Sequence, residues 1–251
     1  MLFRSSVWAG ANFKNLKPLI GYYDQSNPAV MDQHIQQASG GGIEFFNFYY
    51  YWNSKAHTPK YDMALNAFVA SAKNSLMRFM ISLNSTLDGS QPELMIGADE
   101  ALAVVDRMLE VFEHPRYLRD GTGRPIFTLM EGKGIKTGSP QDVMDFIALL
   151  KSRAIAKGRK EPVVLLTPGA TLGNWASVSN LDGYQCLIPL WEVKASADYD
   201  AAVTQVSSYL SDVESYGQSG KPMAPCAFSN FDERPRYPYM PGYRDVANIR
   251  Y

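Results

Sequence analysis

Extended apolar runs alternate with segments of helical periodicity along almost the whole chain. The pattern predicts strands at 19–23, 43–52, 76–83, 125–130, 162–167, 186–190 and 223–228. Helices fall between them. Asn27-Pro28 places an N-cap before a proline at the first helical position, opening a helix that runs to Ser39 with Val30, His34, Ile35 and Ala38 on one face. Gly40-Gly41-Gly42 stops it. Leu65, Phe68, Val69 and Ala72 form the apolar side of a helix at 62–74. Leu102, Val105, Met108, Leu109 and Phe112 do the same at 99–113, where His114-Pro115 ends the pattern. Ser139-Pro140-Gln141-Asp142 starts another helix with an acid at the capping-box position, and a last one covers 198–215. Val163-Val164-Leu165-Leu166 shows no polar alternation, the mark of a strand covered on both faces.

About seven strands separated by helices, with no break in composition, predict a single α/β domain over 1–251 built on a parallel sheet. Nearly every predicted strand is followed at once by polar or aromatic residues: Asp24, Trp52, Asn84, Glu131, Thr167, Trp191-Glu192, then 230–236. One rim supplied by every strand is the arrangement of a (β/α)8 TIM-type barrel. An open doubly wound sheet would gather such residues at one crevice. The expected fold is therefore the barrel, with its last strand–helix unit missing from the count.

Composition narrows the function classes. A net charge of −1, with 24 basic against 25 acidic residues and no long run of either sign, speaks against nucleic-acid binding. No window approaches ~18 consecutive apolar residues, so no membrane span is expected. No signal peptide is visible, which leaves a cytoplasmic site, or an extracellular or periplasmic one if a leader has been trimmed. Cys186 and Cys226 are too few for a disulfide framework, and the three histidines lack metal-ligand spacing, so no metal and no cofactor is expected. Gly132-x-Gly134-x-x-x-Gly138 departs from the dinucleotide fingerprint, and no Gly-x-Ser-x-Gly elbow occurs.

The stretch 43–52 carries the chemistry: Ile-Glu-Phe-Phe-Asn-Phe-Tyr-Tyr-Tyr-Trp turns aromatic and hydroxylated towards its C-terminal end. Flat rings stack on pyranose faces while phenol hydroxyls bond their edges. Glycoside cleavage further needs one carboxyl group to protonate the leaving oxygen and a second as base or nucleophile. The rim acids are Asp24, Glu131, Glu192, Asp232 and Glu233. Glu192 adjoins Trp191, a ring able to desolvate it, and Glu131 follows Met130 in the same kind of position, which makes these two the acid/base candidates. The competing reading is that a rim acid caps the next helix or pairs with Arg234 or Arg236. Arg234 can also grip a carboxylate in bidentate fashion and orient it.

Three stretches together resemble one family. Gly21-Tyr22-Tyr23-Asp24 followed by Gly42-Ile43-Glu44-Phe45-Phe46 and Tyr49-Tyr50-Tyr51-Trp52 is similar to the pattern of glycoside hydrolase family 99-like proteins. His114-Pro115-x-Tyr117-Leu118-Arg119 with Gly123-Arg124-Pro125-Ile126, and Asp232-x-Arg234-Pro235-Arg236, resemble two further segments of that family. The similarity runs from Pro18 to Arg236. It implies a (β/α)8 barrel acting on α-mannosides without an obligatory cofactor, in a family shared by endo-α-mannosidases and bacterial polysaccharide-biosynthesis proteins. It also implies a sugar cleft holding Tyr22, Tyr23, Asp24, Tyr49, Tyr51, Trp52, Asp232 and Arg234. The family's hydrolases carry their two catalytic glutamates in an Asn-Glu-Trp-x-Glu segment after the Asp-x-Arg loop, and no such segment occurs in this sequence.

The leading expectation is thus a glycoside hydrolase acting on an α-mannoside-like oligosaccharide or polysaccharide. Glu192 and Glu131 would be its acid/base groups, Trp52, Tyr49, Tyr51 and Trp191 its stacking platforms. A barrel that binds glycan without cleaving it is the second expectation, and glycosyl transfer the third.

Overall fold

The computed structural model describes residues 23–85, 92–130, 133–167, 173–185 and 220–224. Helix α1 (Pro28–Gly40) starts where the Ala29 amide can donate to Asn27 Oδ1 at 2.9 Å and where Pro28 has no N–H to leave unpaired. At its end the Gly41 amide returns to the Gln37 and Ala38 carbonyls, and Gly42, at φ 83, turns the chain towards the first strand. There follow β1 (Phe45–Asn53), β2 (Thr58–Lys60), α2 (Met63–Ala70), β3 (Arg78–Asn84), α3 (Ala101–Phe112), β4 (Ile126–Met130), α4 (Pro140–Ala156), β5 (Val163–Thr167), β6 (Gly183–Gln185) and β7 (Met223–Ala224).

These strands form one seven-stranded sheet in the order β2-β1-β3-β4-β5-β6-β7. Of the described strand pairs, only the β1–β2 hairpin is antiparallel. Among the described strands the parallel neighbours follow chain order without reversal. That is how a barrel wall winds; a doubly wound sheet reverses at its switch point.

The core lies between this wall and its helices. Phe68 of α2 meets Phe48 and Phe46 of β1 at 5.6 and 6.2 Å between ring centroids and Phe79 of β3 at 5.2 Å. Phe79 also packs on Tyr117 and His114, both at 5.2 Å. Arg153 of α4 grips Asp106 of α3 with Nε and Nη2 at 2.8 and 3.0 Å, and Lys157 adds a contact at 2.9 Å. At the start of β6, Asp182 ties three elements together, accepting from Arg124 Nη2 and Lys151 Nζ at 2.8 Å and from the Val164 amide at 3.0 Å.

Several predicted boundaries shift for physical reasons. The second helix ends at Ala70 rather than 74, because Ser71 takes extended backbone, donates its hydroxyl to Asp32 and accepts the Lys73 amide. Met31, not Val30, is the buried partner of Ile35 on α1. Strand β2 was hidden by Pro59, and its place on the sheet edge is one where proline is tolerated. The predicted strand residues 19–22, 186–190 and 225–228 and the predicted helix 198–215 lie outside the described residues. Among those described, no helix is long and apolar enough to cross a membrane.

Two outcomes follow. Phe79→Ala should destabilise the fold by about 3–5 kcal/mol in a denaturant titration. The Arg153 hydrogen bonds, then Lys157, hold Asp106 down to about 2 from its ordinary 3.8. Its contribution is therefore complete above about pH 4 and is lost as pH falls through about 2. Melting temperatures recorded from pH 5 to 2 should show an acid limb that is shallower in Asp106→Asn.

Candidate functional site

Parallel pairing gives the sheet two unlike faces. Phe46, Phe48, Tyr50 and Trp52 alternate towards the helices, while Phe45, Asn47, Tyr49, Tyr51 and Asn53 take the other side. The registers Tyr49↔Ser82, Ser82↔Thr128 and Thr128↔Leu165 carry that second face across the wall. It carries hydrogen-bonded polar groups where the helix side is wholly aromatic along β1. Ser82 Oγ donates to Asn47 Oδ1 at 2.9 Å, Asn84 Nδ2 to Tyr51 OH at 3.2 Å, and Thr128 Oγ1 to Gln185 Oε1 at 2.6 Å. This last bond reaches over β5, at the level where Leu165 pairs with Gly183, a residue without a side chain.

The open part of this face is phenolic. Tyr49 keeps 49% of its surface exposed and lies 6.4 Å from the Tyr51 ring. Tyr61 meets Tyr51 edge-on at 5.6 Å, with Lys60 Nζ 4.8 Å from the Tyr61 ring centre. Desolvation, then the neighbouring Tyr51, push the Tyr49 hydroxyl above its ordinary range, so it stays neutral and can both donate and accept.

Trp52 does not join this row. It is 3% exposed, and its indole Nε1 donates to Glu100 Oε2 at 2.7 Å on the opposite side of β1. A ring so buried has no open face for a sugar. Glu100 Oε1 is in turn 2.6 Å from His57 Nδ1. Tyr23 stacks edge-on against His34 at 4.8 Å, and the two line a cavity of about 230 Å³ together with Asn47 and Phe48. Asp24 turns its Oδ1 to the Ser26 amide and hydroxyl at 2.8 and 2.7 Å; those bonds keep its carboxyl below the usual range and shape the approach to α1.

Tyr22, Glu131, Trp191, Glu192, Asp232 and Arg234 lie outside the described residues. Asn47, Gln185 and Glu100 were not anticipated. Asn47 stands in an aromatic run, Gln185 just before a predicted strand, and Glu100 in the first turn of the helix predicted at 99–113. Strand alternation within 43–52 was the one available signal, since it sets Asn47 on the face of Tyr49 and Tyr51. Among the described residues, no three His, Cys, Asp or Glu side chains cluster as a metal site requires.

The sequential parallel wall is that of a (β/α)-barrel protein. The chain belongs to the family described as Glycosyltransferase WbsX, whose model matches residues 14–242. Solved structures agree on the fold. A glycoside hydrolase-like protein superposes with a TM-score of 0.65 at 14% identity over 90% of this chain and 70% of its own. The GH99 endo-alpha-mannosidase from Bacteroides thetaiotaomicron gives 0.55 at 11% identity over 82% of this chain and 55% of its own. Its complex with bis-tris-propane gives 0.62 at 11% identity, over 91% of this chain and 65% of that one. The glycoside hydrolase family 99-like resemblance read from the sequence is therefore correct. No curated protein matches the chain.

The Glu100 contacts make a stability prediction. Glu100→Ala leaves the buried Trp52 N–H unpaired and should cost about 1–3 kcal/mol. His57→Ala strips Glu100 Oε1 of its partner and puts alanine at φ 53, and should cost about 1–2 kcal/mol in the same denaturant titration.

Proposed function

We propose that the chain binds an oligosaccharide or polysaccharide along the polar face of the barrel wall and cleaves its glycosidic bonds, an α-mannoside or similar bacterial polysaccharide being the substrate. The observation that carries this is the half-exposed Tyr49 ring beside Tyr51, with a row of bonded polar groups on the same face. Rings beside fixed donors and acceptors suit a flat apolar sugar face edged with hydroxyls. Membership of a polysaccharide-related family supports the same class of ligand.

In this reading Glu192 and Glu131 act as acid and base, Tyr22, Tyr23, Trp191 and Asp232 contact sugar, and Arg234 orients a carboxylate. Asp24 shapes the approach to α1, and Trp52 supports the cleft from behind through Glu100. Transfer of a sugar to an acceptor is the second reading, favoured by the family's description. Both use the same face of the wall.

The test is to incubate the protein with α-mannan and a panel of bacterial polysaccharides, measuring binding, released reducing ends and elongated acceptors. Released ends support hydrolysis; elongation in their place supports transfer. Binding without either would make this a carbohydrate-binding barrel, and no binding would overturn the proposal. With hydrolysis in hand, Glu192→Gln and Glu131→Gln should each lower kcat by about 10²–10⁴-fold. Tyr49→Ala should weaken glycan affinity by about 2–10-fold, the loss of one aromatic contact worth ~0.5–1.5 kcal/mol.

A further inference from the structure

Glu100 is 7% exposed, and its two oxygens have different partners. Oε2 accepts the Trp52 indole N–H at 2.7 Å, from the core. Oε1 lies 2.6 Å from His57 Nδ1, whose side chain is 68% exposed. A buried carboxylate needs its oxygens bonded, and any small polar group could have filled the second place. An imidazole that reaches in from solvent fills it instead.

The geometry fixes the tautomer. So short an approach to a carboxylate requires the proton on Nδ1, which in the neutral ring leaves Nε2 with its lone pair. The ring cannot easily turn, because Trp52 fixes the carboxylate that holds it. Its backbone is equally constrained: His57 sits at φ 53, in the left-handed region that side chains rarely adopt. The loop before it is pinned on both sides. Asn53 Oδ1 accepts the Lys55 and Ala56 amides at 3.0 and 3.1 Å, and the Ser54 amide donates to the Glu93 carbonyl at 2.9 Å. Such strain gathers where a side chain has to be presented in one direction.

The location matters as much as the geometry. His57 follows the C-terminal end of β1, and Glu100 lies in the segment that leaves the C-terminal end of β3. Both belong to the rim where a barrel keeps its binding and catalytic groups. The hairpin carrying His57 also bears Tyr61, which packs on Tyr51 of the polar face.

We propose that His57 forms a hydroxyl-recognising subsite on the rim, its Nε2 accepting a hydrogen bond from a hydroxyl of the bound ligand, with Glu100 and Trp52 as positioning residues. The ligand class, a glycan, rests on the function proposed above. An acceptor presented in this way discriminates by chemistry: it favours a sugar with a hydroxyl at that position over the deoxy analogue.

The experiment uses the full chain and α-mannan oligosaccharides. Carbethoxylation followed by mass spectrometry reads the reactivity of each histidine with and without the oligosaccharide. The ¹⁵N shifts of the His57 ring read its tautomer. His57 should label faster than His34 and His114, report the Nδ1–H form, and be protected by bound glycan. Glu100→Gln should reduce the Nδ1–H population. His57→Asn, which tolerates the left-handed backbone, should weaken binding by about 3–10-fold while lowering the melting temperature less than Glu100→Ala does, and the same variant should no longer separate the ligand from its deoxy analogues. Wild-type binding that is unchanged in His57→Asn, or binding without protection of His57, overturns the subsite and leaves the reading of the polar face intact. Absence of glycan binding by the wild type overturns the function proposed for the polar face, and the subsite with it.

Discussion

The in-register parallel pairing of β1 with β3 decides what every neighbouring side chain can do. Six consecutive partners, from Phe45↔Arg78 to Tyr50↔Leu83, fix it. A slip of one residue would turn Phe46, Phe48 and Tyr50 to the polar face and drive Asn47, Tyr49 and Tyr51 into the core. The packing of Phe46 and Phe48 on Phe68 opposes that slip from one side, and the Ser82–Asn47 hydrogen bond opposes it from the other. The apolar contacts that stabilise the wall therefore also aim the phenols.

From that strand pair the order spreads along the rim through short-range bonds. The hairpin after β1 is tied to the segment after β3 by Ser54 to Glu93 and by the Lys60–Glu93 ion pair at 2.7 Å. The segment after β3 is tied to the loop after β4, where the Ile96 amide meets the Gly134 carbonyl at 2.7 Å and the Lys136 amide meets the Ile96 carbonyl at 2.8 Å. Lys136 takes φ 48 to make that contact. Loops bonded to one another in series hold side chains closer to one geometry than loops anchored only at their ends, which is what recognition of a hydroxylated ligand needs.

Much of this was legible in the sequence, because local chemistry wrote it there. Asn27-Pro28 and Ser139-Pro140 began helices where capping predicts, with the Asp142 amide donating to Ser139 Oγ at 3.1 Å. The unalternating run in β5 took its place inside the wall. What sequence could not supply was pairing across long separations. Glu100 meets Trp52 and His57 over 48 and 43 positions, and no local pattern marks an acid whose partners are so far away. Gln185 likewise owes its place to Thr128, two strands distant. Tertiary contacts also ended α2 early, since Ser71 found Asp32 on another helix.

The aromatic run shows how far composition can carry a functional argument. Four consecutive aromatic residues, Tyr49 to Trp52, suggest one sugar-binding surface. The period of a strand divides them instead between two tasks. Tyr49 and Tyr51 take the face opposite the helices, Tyr49 half-exposed and Tyr51 accepting from Asn84. Tyr50 and Trp52 face the helices, at 2% and 3% exposure. Trp52 still serves the rim, but through its N–H and not its ring face: by occupying one Glu100 oxygen it leaves the other for His57. The run thus couples core to rim, and a lesion at Trp52 should be read as a loss of positioning. Loss of activity in a Trp52 variant would not by itself identify a stacking platform, whereas loss of affinity in Tyr49→Ala, at a half-exposed ring, would support the proposed glycan contact.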